Sequence, residues 1–408
     1  MNIPKLRFKD NNGNDYPQWE KKKLGDIGNI ISGGTPSSSN KEYWNGHINW
    51  FTPSEVGKTK FVSESIRKIT EKGIKNSSAK LLPKGTILLS SRATIGEKSI
   101  LLNSATTNQG FQSIITNNEA INEFIYYYID TLKSELIKQS SGSTFLEISN
   151  TILKKLKIYI PNLQEQEKIA NFLSTVDKKI TNLENTITSL ENQKKGLLQQ
   201  IFSQKLRFKD KNGNNYPNWE NKKITDIAIT YIGLVTTMTK FYVEKGIPLI
   251  RNSDIKENKF IFNEQIFLDE KFAKNNSSRQ HKLNDIITVH TGDVGTSAMI
   301  DENLVNSIGF ATIVTRIKDF NKYNPKYICW YLNSPICKSK IYTMITGDGR
   351  NNLNMKDFNK LYIPIPCLEE QTKIADFLSE FDRKLDNQKA QLEHWQQIKK
   401  GLLQQMFV

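Results

Sequence analysis

Residues 5–27 read KLRFKDNNGNDYPQWEKKKLGDI, and residues 205–227 read KLRFKDKNGNNYPNWENKKITDI. The two stretches agree at 17 of 23 positions, at a constant spacing of 200 residues. Self-similarity at a fixed spacing is the sequence signature of a duplicated structural unit. A chain of 408 residues is also too long for one ordinary core, so we expect two domains with connecting structure.

A second pair of matching stretches lies further along the chain, at a spacing of 205 residues. PNLQEQEKIANFLSTVDKKI at 161–180 corresponds to PCLEEQTKIADFLSEFDRKL at 366–385. KKGLLQQIF at 194–202 corresponds to KKGLLQQMF at 399–407. The duplication therefore includes a domain and the segment that follows it.

Between these anchors the two copies keep a common frame but differ in detail. TILLSSRATIG at 86–96 lies opposite DIITVHTGDVG at 285–295. NQGFQSI at 108–114 lies opposite SIGFATI at 307–313. Two copies of one scaffold with different loops are suited to recognise two different targets.

Each copy predicts a domain of the α+β class. Stretches rich in β-formers and bounded by Gly, Pro and Asn predict strands, and apolar residues at helical spacing predict a long helix with its aromatic residues in the core. The predicted strands are 86–91, 110–115, 286–291 and 310–316, and the predicted helices are 119–139 and 325–344. Pro325 suits the first turn of its helix.

After each domain, apolar residues recur at alternating steps of three and four, which is a heptad pattern and predicts two long helices. Lys194 and Lys399 occupy matching positions within it, where a polar residue can fix the register of paired helices. The predicted helix–helix seam consists of Ile169, Leu173, Val176, Ile180, Leu183, Ile187, Leu190 and Leu197, paired with Ile374, Leu378, Phe381, Leu385, Leu392, Trp395, Leu402 and Met406.

Connectivity sets the direction of these helices. The first helix leads from one domain to the next, so the second must run the opposite way to pair with it as an antiparallel coiled coil. Forty helical residues span about 60 Å, which would separate the two homologous domains about a pseudo-two-fold axis. The chain would end near its own beginning, so the fold is expected to be nearly circular.

We therefore divide the chain into a first domain (1–160), a first spacer helix (161–203), a second domain (204–365) and a second spacer helix (366–408). The net charge of +15 is distributed as +8 on each domain, 0 on the first helix and −1 on the second. A positive excess confined to two domains favours nucleic acid as the ligand. The alternative is a general solubility charge without a ligand.

Several kinds of chemistry find no support in the sequence. There is no phosphate-binding G-x-x-x-x-G-K-[ST] or G-x-G-x-x-G motif, and the four histidines have no metal-ligand spacing. Cys329, Cys337 and Cys367 fit neither a disulfide framework nor a zinc pattern. No stretch predicts a membrane span or a secretory signal. We expect a cytoplasmic protein with no metal and no catalytic residues.

Two short fragments are similar to catalytic motifs. Asn324 to Tyr327 is similar to a methyltransferase N-P-P-Y loop but lacks the second proline, and a helix start explains it better. Glu20 to Lys22 and Glu220 to Lys222 fit the E-x-K fragment of metal-dependent nucleases, which is common by chance. We interpret the repeated Pro-x-Trp-Glu as an entry strand with Trp19 and Trp219 packed beneath it.

The same residues resemble a known family. The YPxWE entries at 16–20 and 216–220, together with IPNLQEQEKIANFL at 160–173 and IPCLEEQTKIADFL at 365–378, are similar to the specificity (S) subunit of type I restriction-modification systems. The two K-K-G-L-L-Q-Q helix ends complete the set. The resemblance covers the whole chain in that family's order of domain, helix, domain and helix.

This resemblance implies a function and a set of partners. Each target-recognition domain would recognise one half of a bipartite, asymmetric site in double-stranded DNA, while the helices set the spacing and dock two methyltransferase (M) subunits. Two restriction/translocase (R) subunits would join them. Catalysis would belong to these partners, which would carry S-adenosylmethionine, Mg²⁺ and ATP, and this chain would bind no cofactor.

The candidate DNA-contacting residues lie in polar loops that differ between the copies. Arg can pair with guanine and Asn with adenine, whereas the alternative for each residue is a solvated loop group or a helix cap. In the first domain the candidates are Ser91, Arg92, Thr94, Thr106, Asn108, Gln109, Ser141, Ser143 and Thr144. In the second domain they are Arg251, Asn252, His290, Thr291, Asp293, Arg350, Asn351 and Asn352.

Two other functions remain open at this point. The chain could be an adaptor or variant specificity subunit that acts in a modification-only complex or as a scaffold that recognises no DNA, although the charge of +8 on each domain argues against the scaffold. It could also be an autonomous nuclease, which would require that the purified chain alone cuts DNA with Mg²⁺.

The predicted seam can be tested directly. Replacing Leu183 and Leu385 together by Lys places two charges in an apolar interface, so we expect the helices to separate and the melting temperature to fall. Thermal unfolding followed by circular dichroism measures this. An unchanged melting temperature would show that these leucines do not pair the helices.

Overall fold

The computed structural model of the chain describes residues 4–141, 146–345 and 351–407. The chain forms two compact units. Unit 1 consists of Met1–Glu184 together with Ala390–Val408, and unit 2 consists of Asn185–Lys389. Each unit therefore contains one of the duplicated domains and a part of each long helix.

The first half of the chain contains ten strands and four α-helices within its described residues. In chain order they are β1 (Glu20–Lys23), β2 (Gly28–Ser32), β3 (Trp44–Phe51), β4 (Phe61–Val62), β5 (Arg67–Ile69), α1 (Glu71–Lys75), β6 (Ile87–Leu89), β7 (Lys98–Leu101), β8 (Thr106–Thr107), β9 (Gln112–Thr116), α2 (Asn122–Lys138), α3 (Asn150–Lys155), β10 (Lys157–Ile160) and α4 (Leu163–Phe202).

The second half follows the same plan with additional short elements. In chain order they are β11 (Glu220–Lys223), α5 (Ile224–Ile227), β12 (Ala228–Ile232), β13 (Tyr242–Val243), β14 (Ile247–Ile250), β15 (Ile255–Lys256), β16 (Lys259–Phe260), β17 (Ile266–Leu268), α6 (Glu270–Asn275), β18 (Ile286–Thr288), β19 (Ser297–Met299), β20 (Ile308–Gly309), β21 (Ile313–Ile317), α7 (Pro325–Leu332), α8 (Pro335–Tyr342), α9 (Met355–Phe358), β22 (Tyr362–Ile365) and α10 (Leu368–Met406).

In unit 1 the central sheet has the strand order β2-β9-β6-β7-β4, and a second sheet has the order β5-β3-β8. β1 pairs with β10 in a separate ribbon. The predicted strands at 86–91 and 110–115 are confirmed as β6 and β9, which are antiparallel neighbours. All three residues of β6 are buried, as expected for a central strand with both faces covered.

Unit 2 repeats this arrangement. Its central sheet has the order β12-β21-β18-β19, a second sheet has the order β13-β17-β14-β20, and β11 pairs with β22. The predicted strands at 286–291 and 310–316 are confirmed as β18 and β21. The predicted mixed α/β architecture is therefore present in both units.

The predicted helix at 119–139 is confirmed as α2, but the prediction of a single helix at 325–344 is wrong. This segment forms two helices, α7 and α8, because Pro335 has no N–H to donate and disfavours helical backbone in the residue before it. Ser334 caps the second helix by accepting a hydrogen bond from the Cys337 N–H. Pro325 occupies the first turn of α7, as predicted.

Aromatic side chains of these helices form the centre of each core. In unit 1, the rings of Phe124 and Tyr128 on α2 pack against Phe407, with centroids 5.4 and 5.3 Å away, and Trp19 contacts the same ring at 6.3 Å. In unit 2, Phe202 packs against Tyr327 of α7 at 5.8 Å. The end of each long helix is thus part of a domain core.

A buried carboxylate at the start of each long helix binds the repeated stretch that begins each domain (5–27 and 205–227), which we call the entry segment. Glu165 is fully buried and accepts hydrogen bonds from Arg7 Nε at 2.9 Å, Arg7 Nη2 at 2.7 Å and the Trp19 indole N–H at 3.2 Å. In unit 2, Glu370 binds Arg207 and Trp219 in the same way, with the Arg207 Nη2 bond at 2.7 Å and the indole bond at 3.0 Å. The ion pair raises the pKa of each arginine.

The glutamine that follows each of these carboxylates binds the backbone at the start of α2 or α7. In unit 1 the side chain of Gln166 accepts from the Ile121 N–H at 2.9 Å and donates to the carbonyls of Glu119 and Pro161. In unit 2, Gln371 accepts from the Asn324 N–H at 2.8 Å. The repeated Glu-Gln pair therefore joins three parts of each unit: the entry segment, the long helix, and the start of α2 in unit 1 or α7 in unit 2.

Within each unit the two long helices run antiparallel. In unit 1, Lys399 Nζ lies 2.7 Å from Asp177 Oδ1, while Met406, further along α10, shares a core cluster with Ile169, which is earlier on α4. In unit 2 the equivalent pair joins Lys194 Nζ to Asp382 Oδ1 at 2.5 Å. The two lysines at matching heptad positions are thus each bound to a carboxylate of the opposite helix.

All sixteen predicted seam residues are buried or half-buried in the structure. Ile169 and Leu173 belong to the core cluster of unit 1, and Ile374 and Leu378 belong to that of unit 2. These four residues therefore pack against a domain in addition to the opposite helix, which the heptad pattern alone did not indicate.

The predicted closeness of the chain ends is confirmed within unit 1. The Leu6 N–H donates to the carbonyl oxygen of Gln405 at 2.9 Å. In unit 2 the equivalent bond joins Leu206 to Gln200 at 3.1 Å, where the chain is continuous. The C-terminal end of a long helix therefore binds the entry segment in both units. In unit 1 this bond joins the two ends of the chain, and in unit 2 it joins residues that are close in sequence.

Replacing Glu165 by Ala tests the role of the buried carboxylate. The change leaves Arg7 and the Trp19 indole N–H without an acceptor, and because Arg7 keeps part of its surface in water we expect a loss of about 3 kcal/mol. Urea unfolding of the full chain measures it. The control is Glu167→Ala, which removes an exposed carboxylate of the same helix. Equal effects of the two changes would contradict this role.

Candidate nucleic-acid interface

In unit 1 the polar candidates surround the turn between β6 and β7. The Ser91 N–H donates to the Gly110 carbonyl at 2.8 Å, and the Ile148 N–H donates to the Ser91 carbonyl at 3.1 Å. These two bonds bring three separate stretches of the sequence together at the end of the central sheet. The sequence identified these stretches but could not show that they are neighbours.

Arg92 lies on this turn, and part of its guanidinium is bound to Glu147. Its Nε lies 2.8 Å from Glu147 Oε2, yet 43% of its side chain remains exposed. Thr94, two residues further on, is exposed, and its hydroxyl lies 3.0 Å from that of Ser90. Arg92 and Thr94 are therefore accessible to a ligand.

The turn after β8 forms the second part of the site. Gln109 is exposed and accepts a hydrogen bond from Thr35, while Asn108 is half-buried and accepts from the Gly110 N–H at 2.9 Å. Ser141 is exposed and pairs through its backbone with Glu147.

Two of the predicted residues in this domain are buried, and two others fall outside the described residues. Ser91 and Thr106 have no exposed surface, because each lies in or next to a strand whose backbone is hydrogen-bonded to neighbouring segments. The Thr106 hydroxyl donates to the Asn49 carbonyl at 2.8 Å. Neither side chain can contact DNA in this conformation. Ser143 and Thr144 lie outside the described residues.

In unit 2 the equivalent turn carries a chain of polar contacts. Asn252 Oδ1 accepts from the His290 N–H at 2.9 Å, and His290 Nδ1 lies 2.9 Å from the Thr291 hydroxyl. The Thr291 hydroxyl donates to Asn352 Oδ1 at 2.8 Å. Four predicted residues from three stretches of sequence therefore form one cluster, in which all four are half-buried.

The remaining candidates of unit 2 differ in exposure and in whether other residues bind their side chains. Arg251 is bound to Asp254 through Nε at 3.1 Å and Nη2 at 3.0 Å, so its guanidinium stabilises a loop. Asp293 and Asn351 are exposed. The side chain of Asp293 accepts from the Thr296 hydroxyl at 2.8 Å. Arg350 lies outside the described residues.

The pKa values of two histidines of unit 2 are lowered, which favours the neutral form of both. Burial lowers the pKa of His290. Burial, together with the charge of Arg316, lowers the pKa of His281 to about 3. The His281 ring is fully buried, and its Nδ1 lies 2.9 Å from the Ser307 hydroxyl. His281 therefore supports the second sheet as an uncharged group.

One loop next to the predicted site was not identified from the sequence. Residues 33–40 follow β2, and the indole N–H groups of Trp50 and Trp44 donate to the carbonyls of Gly34 at 2.9 Å and Ser37 at 3.0 Å. A Cβ on Gly33 would lie 1.9 Å from the Asn108 carbonyl oxygen, so only glycine allows this loop to approach the Asn108 turn. The Gly-Gly pair directly after a strand was the available signal.

Two kinds of feature are not found in the part of the chain that the structure describes. There, no three His, Cys, Asp or Glu side chains are grouped so that they could hold a metal ion. Nor does any helix in those ranges have the length and apolar character needed to cross a membrane. The candidate side chains are hydroxyl, amide, guanidinium, imidazole and carboxylate groups on turns.

The sequence profile of the type I restriction modification DNA specificity domain matches residues 16–192 and again residues 216–394. These matches cover most of the chain, and the chain therefore belongs to this family. The family predicted from the doubled motifs is confirmed, as is the presence of two copies of the domain.

Individual relatives agree with this assignment. The MjaIX type I restriction enzyme specificity subunit of Methanocaldococcus jannaschii is 31% identical over 413 residues, covering 97% of this chain and 94% of the relative. The EcoR124I/EcoR124II specificity subunit of Escherichia coli is 34% identical over 176 residues, covering 41% of this chain and 42% of the relative. The S subunit of M. genitalium shares the fold, with a TM-score of 0.61 at 17% identity over 100% of this chain and 99% of that one.

His281 predicts a dependence of stability on pH. Its pKa is about 3 in the folded chain and about 6.5 when unfolded, so the unfolded state binds the proton first and stability is lost as the pH falls below 6.5. Between pH 7 and 5 we expect this group to destabilise the fold by about 2 kcal/mol. Urea unfolding at each pH measures it.

The matched variant is His281→Gln, which stays neutral over this range and can still bond Ser307. Its stability should change less between pH 7 and 5 than that of the parent chain. If both chains lose the same stability over that interval, His281 does not carry the effect.

Proposed function

We propose that this chain is the DNA-sequence-recognition subunit of a type I restriction-modification complex, in which each domain recognises one half of a bipartite, asymmetric target. The observation that carries the proposal is that one scaffold, present twice, displays different polar side chains at the same turn. Arg92 lies beside Glu147 in unit 1, whereas Thr291 lies beside Asn352 in unit 2.

These side chains are suited to base recognition. A guanidinium can donate two hydrogen bonds to guanine, while hydroxyl and amide groups can donate or accept and so match other base edges. Since the two turns differ in chemistry, the two half-sites should differ in sequence. The charge of +8 on each domain would supply the phosphate attraction on which such recognition depends.

The long helices are proposed to act as the spacer. Each is a single helix of 40 or 39 residues that is anchored by its first turn to one domain through Glu165 or Glu370. A rigid spacer fixes which bases the two domains can contact at once, because both must meet the same duplex on a compatible face. The helices and domains would also dock two methyltransferase subunits.

Catalysis is proposed to belong to partner subunits. The methyltransferase subunits would bind S-adenosylmethionine, and two restriction/translocase subunits would use ATP and Mg²⁺. This chain would contribute recognition alone and would act in the cytoplasm, where its DNA target is found. In a modification-only complex the same recognition would direct methylation without cleavage.

Methylome sequencing tests the proposal. We expect a host that carries the gene to methylate a split motif with two different half-sites separated by unspecified bases, and a host with the gene deleted to lose that motif alone. Restoring the gene should restore the motif. A methylome that is identical with and without the gene would contradict DNA recognition and favour a scaffold.

Binding in solution separates the remaining alternatives. A gel shift of the chain with its methyltransferase partners should show sequence-dependent binding that weakens steeply as salt is raised. The purified chain alone with Mg²⁺ serves as the control for nuclease activity. Cleavage of DNA by the chain alone would contradict the assignment of catalysis to partners.

A further inference from the structure

Among the arginines that the structure describes, Arg67 differs in having no hydrogen-bond acceptor or acidic partner within the described residues. Of the eight arginines within the described residues, six form an ion pair with Asp or Glu: Arg7, Arg92, Arg207, Arg251, Arg316 and Arg383. Arg279 donates to the Ile232 carbonyl at 2.7 Å. Arg67 is exposed, and no described residue accepts a hydrogen bond from its guanidinium or pairs with its charge.

Two tryptophans hold this free guanidinium in place. Its central carbon lies 3.7 Å from the centre of the Trp44 ring and 5.2 Å from that of Trp50. The two indoles pack edge to face with centroids 5.0 Å apart, and both are buried. A guanidinium at this distance stacks on the indole and keeps its N–H donors at the rim, so its position is set before any ligand binds.

The sheet places Arg67 beside the candidate DNA-contacting turn. In the order β5-β3-β8, Arg67 pairs with Trp50, and Trp50 pairs in turn with Thr106. Neighbouring strands are about 4.8 Å apart, so the Arg67 and Thr106 backbones are separated by roughly 10 Å. Asn108 follows directly after that last strand, and the same tryptophans bind the 33–40 loop.

Unit 2 lacks this arginine. In its equivalent sheet, Leu249 pairs with Ile266 on one side and with Ile308 on the other. Leu249 thus occupies the place of Trp50, and Ile266 occupies the place of Arg67. Any ligand contact made by Arg67 is therefore confined to the first domain.

We propose that Arg67 is a DNA contact of the first domain, where its guanidinium donates two hydrogen bonds to a pair of acceptors on the duplex. Such a pair is offered by two phosphate oxygens or by O6 and N7 of a guanine. The proposal rests on the proposed function and adds a specific residue, on a different sheet from the turn that carries Arg92. The stack on Trp44 provides the orientation, and no acceptor in the described ranges of the chain occupies the N–H donors.

The test uses the full chain in complex with its methyltransferase partners. A DNA duplex is first selected by the unaltered complex from a pool with randomised bases, and duplexes with single base changes are made from it. Arg67→Ala should weaken binding to the selected duplex by about 10- to 100-fold. The matched control is Arg383→Ala, which removes an exposed arginine that pairs with Glu380 and lies outside both domains. Assembly of each variant with the methyltransferase partners is measured first, and the assembled Arg383→Ala complex should bind DNA like the unaltered complex.

The two acceptor sources give different results. If Arg67 binds guanine, the loss vanishes on duplexes in which one base pair of the first half-site is changed, while preferences in the second half-site stay the same. If it binds phosphate, all duplexes lose affinity equally and the slope of log affinity against log salt falls by about one. Arg67→Lys, which keeps the charge but not the paired donors, should recover less than half of the loss.

The result that overturns the proposal is Arg67→Ala binding every duplex like Arg383→Ala, with the same salt slope. Full recovery by Arg67→Lys would overturn the paired hydrogen bonds. Circular dichroism melting of each variant shows whether the fold is retained, and the exposed position of Arg67 makes retention the expected result. If the unaltered complex selects no duplex from the pool, the proposed function itself fails, which separates that failure from failure of the Arg67 contact.

Discussion

Each unit depends on one buried carboxylate at the first turn of a long helix. Glu165 and Glu370 have no contact with water, and each is neutralised by an arginine and an indole N–H of the entry segment. A charge removed from water is tolerated only with such partners, so the helix, the entry segment and the domain must come together at this point. The adjacent glutamine extends the junction to the start of α2 in unit 1 and α7 in unit 2.

This junction is the same in both units, while the polar turns of the domains vary. The carboxylate, glutamine, arginine and tryptophan are identical in the two units, whereas the turns that carry Arg92 in one and Thr291 in the other differ. Backbone hydrogen bonds hold both turns, as in the bond from Ile148 to Ser91 and its counterpart from Leu353 to His290 at 2.9 Å. Because the backbone fixes the turn, its side chains can change without loss of the fold, which is what a recognition subunit with two different half-sites requires.

Much of the fold followed from the sequence, and the site followed only in part. The sequence repeat predicted the two domains, and the spacing of apolar residues predicted the central strands and the long helices. A periodic apolar face must be buried, which leaves few possible arrangements. The break at Pro335 was overlooked, since the apolar pattern continues on both sides of it. Arg92, Thr94 and Gln109 lie on accessible turns, as expected, whereas Ser91 and Thr106 are buried. A hydroxyl residue at the end of a strand has the same sequence pattern whether its side chain faces water or the protein interior.

The sequence by itself determined that this protein is one scaffold used twice, with a helical connection after each copy and a positive charge on the domains alone. Such properties are local or periodic, and they can be counted along the chain. Only the tertiary structure decided which polar groups are free. Neither Arg316 nor Arg67 has a carboxylate close to it in the sequence that marks it as bound, yet Asp285 binds Arg316 and no described carboxylate reaches Arg67. Whether a charge is satisfied depends on which distant residues the fold brings beside it, and no local pattern records that.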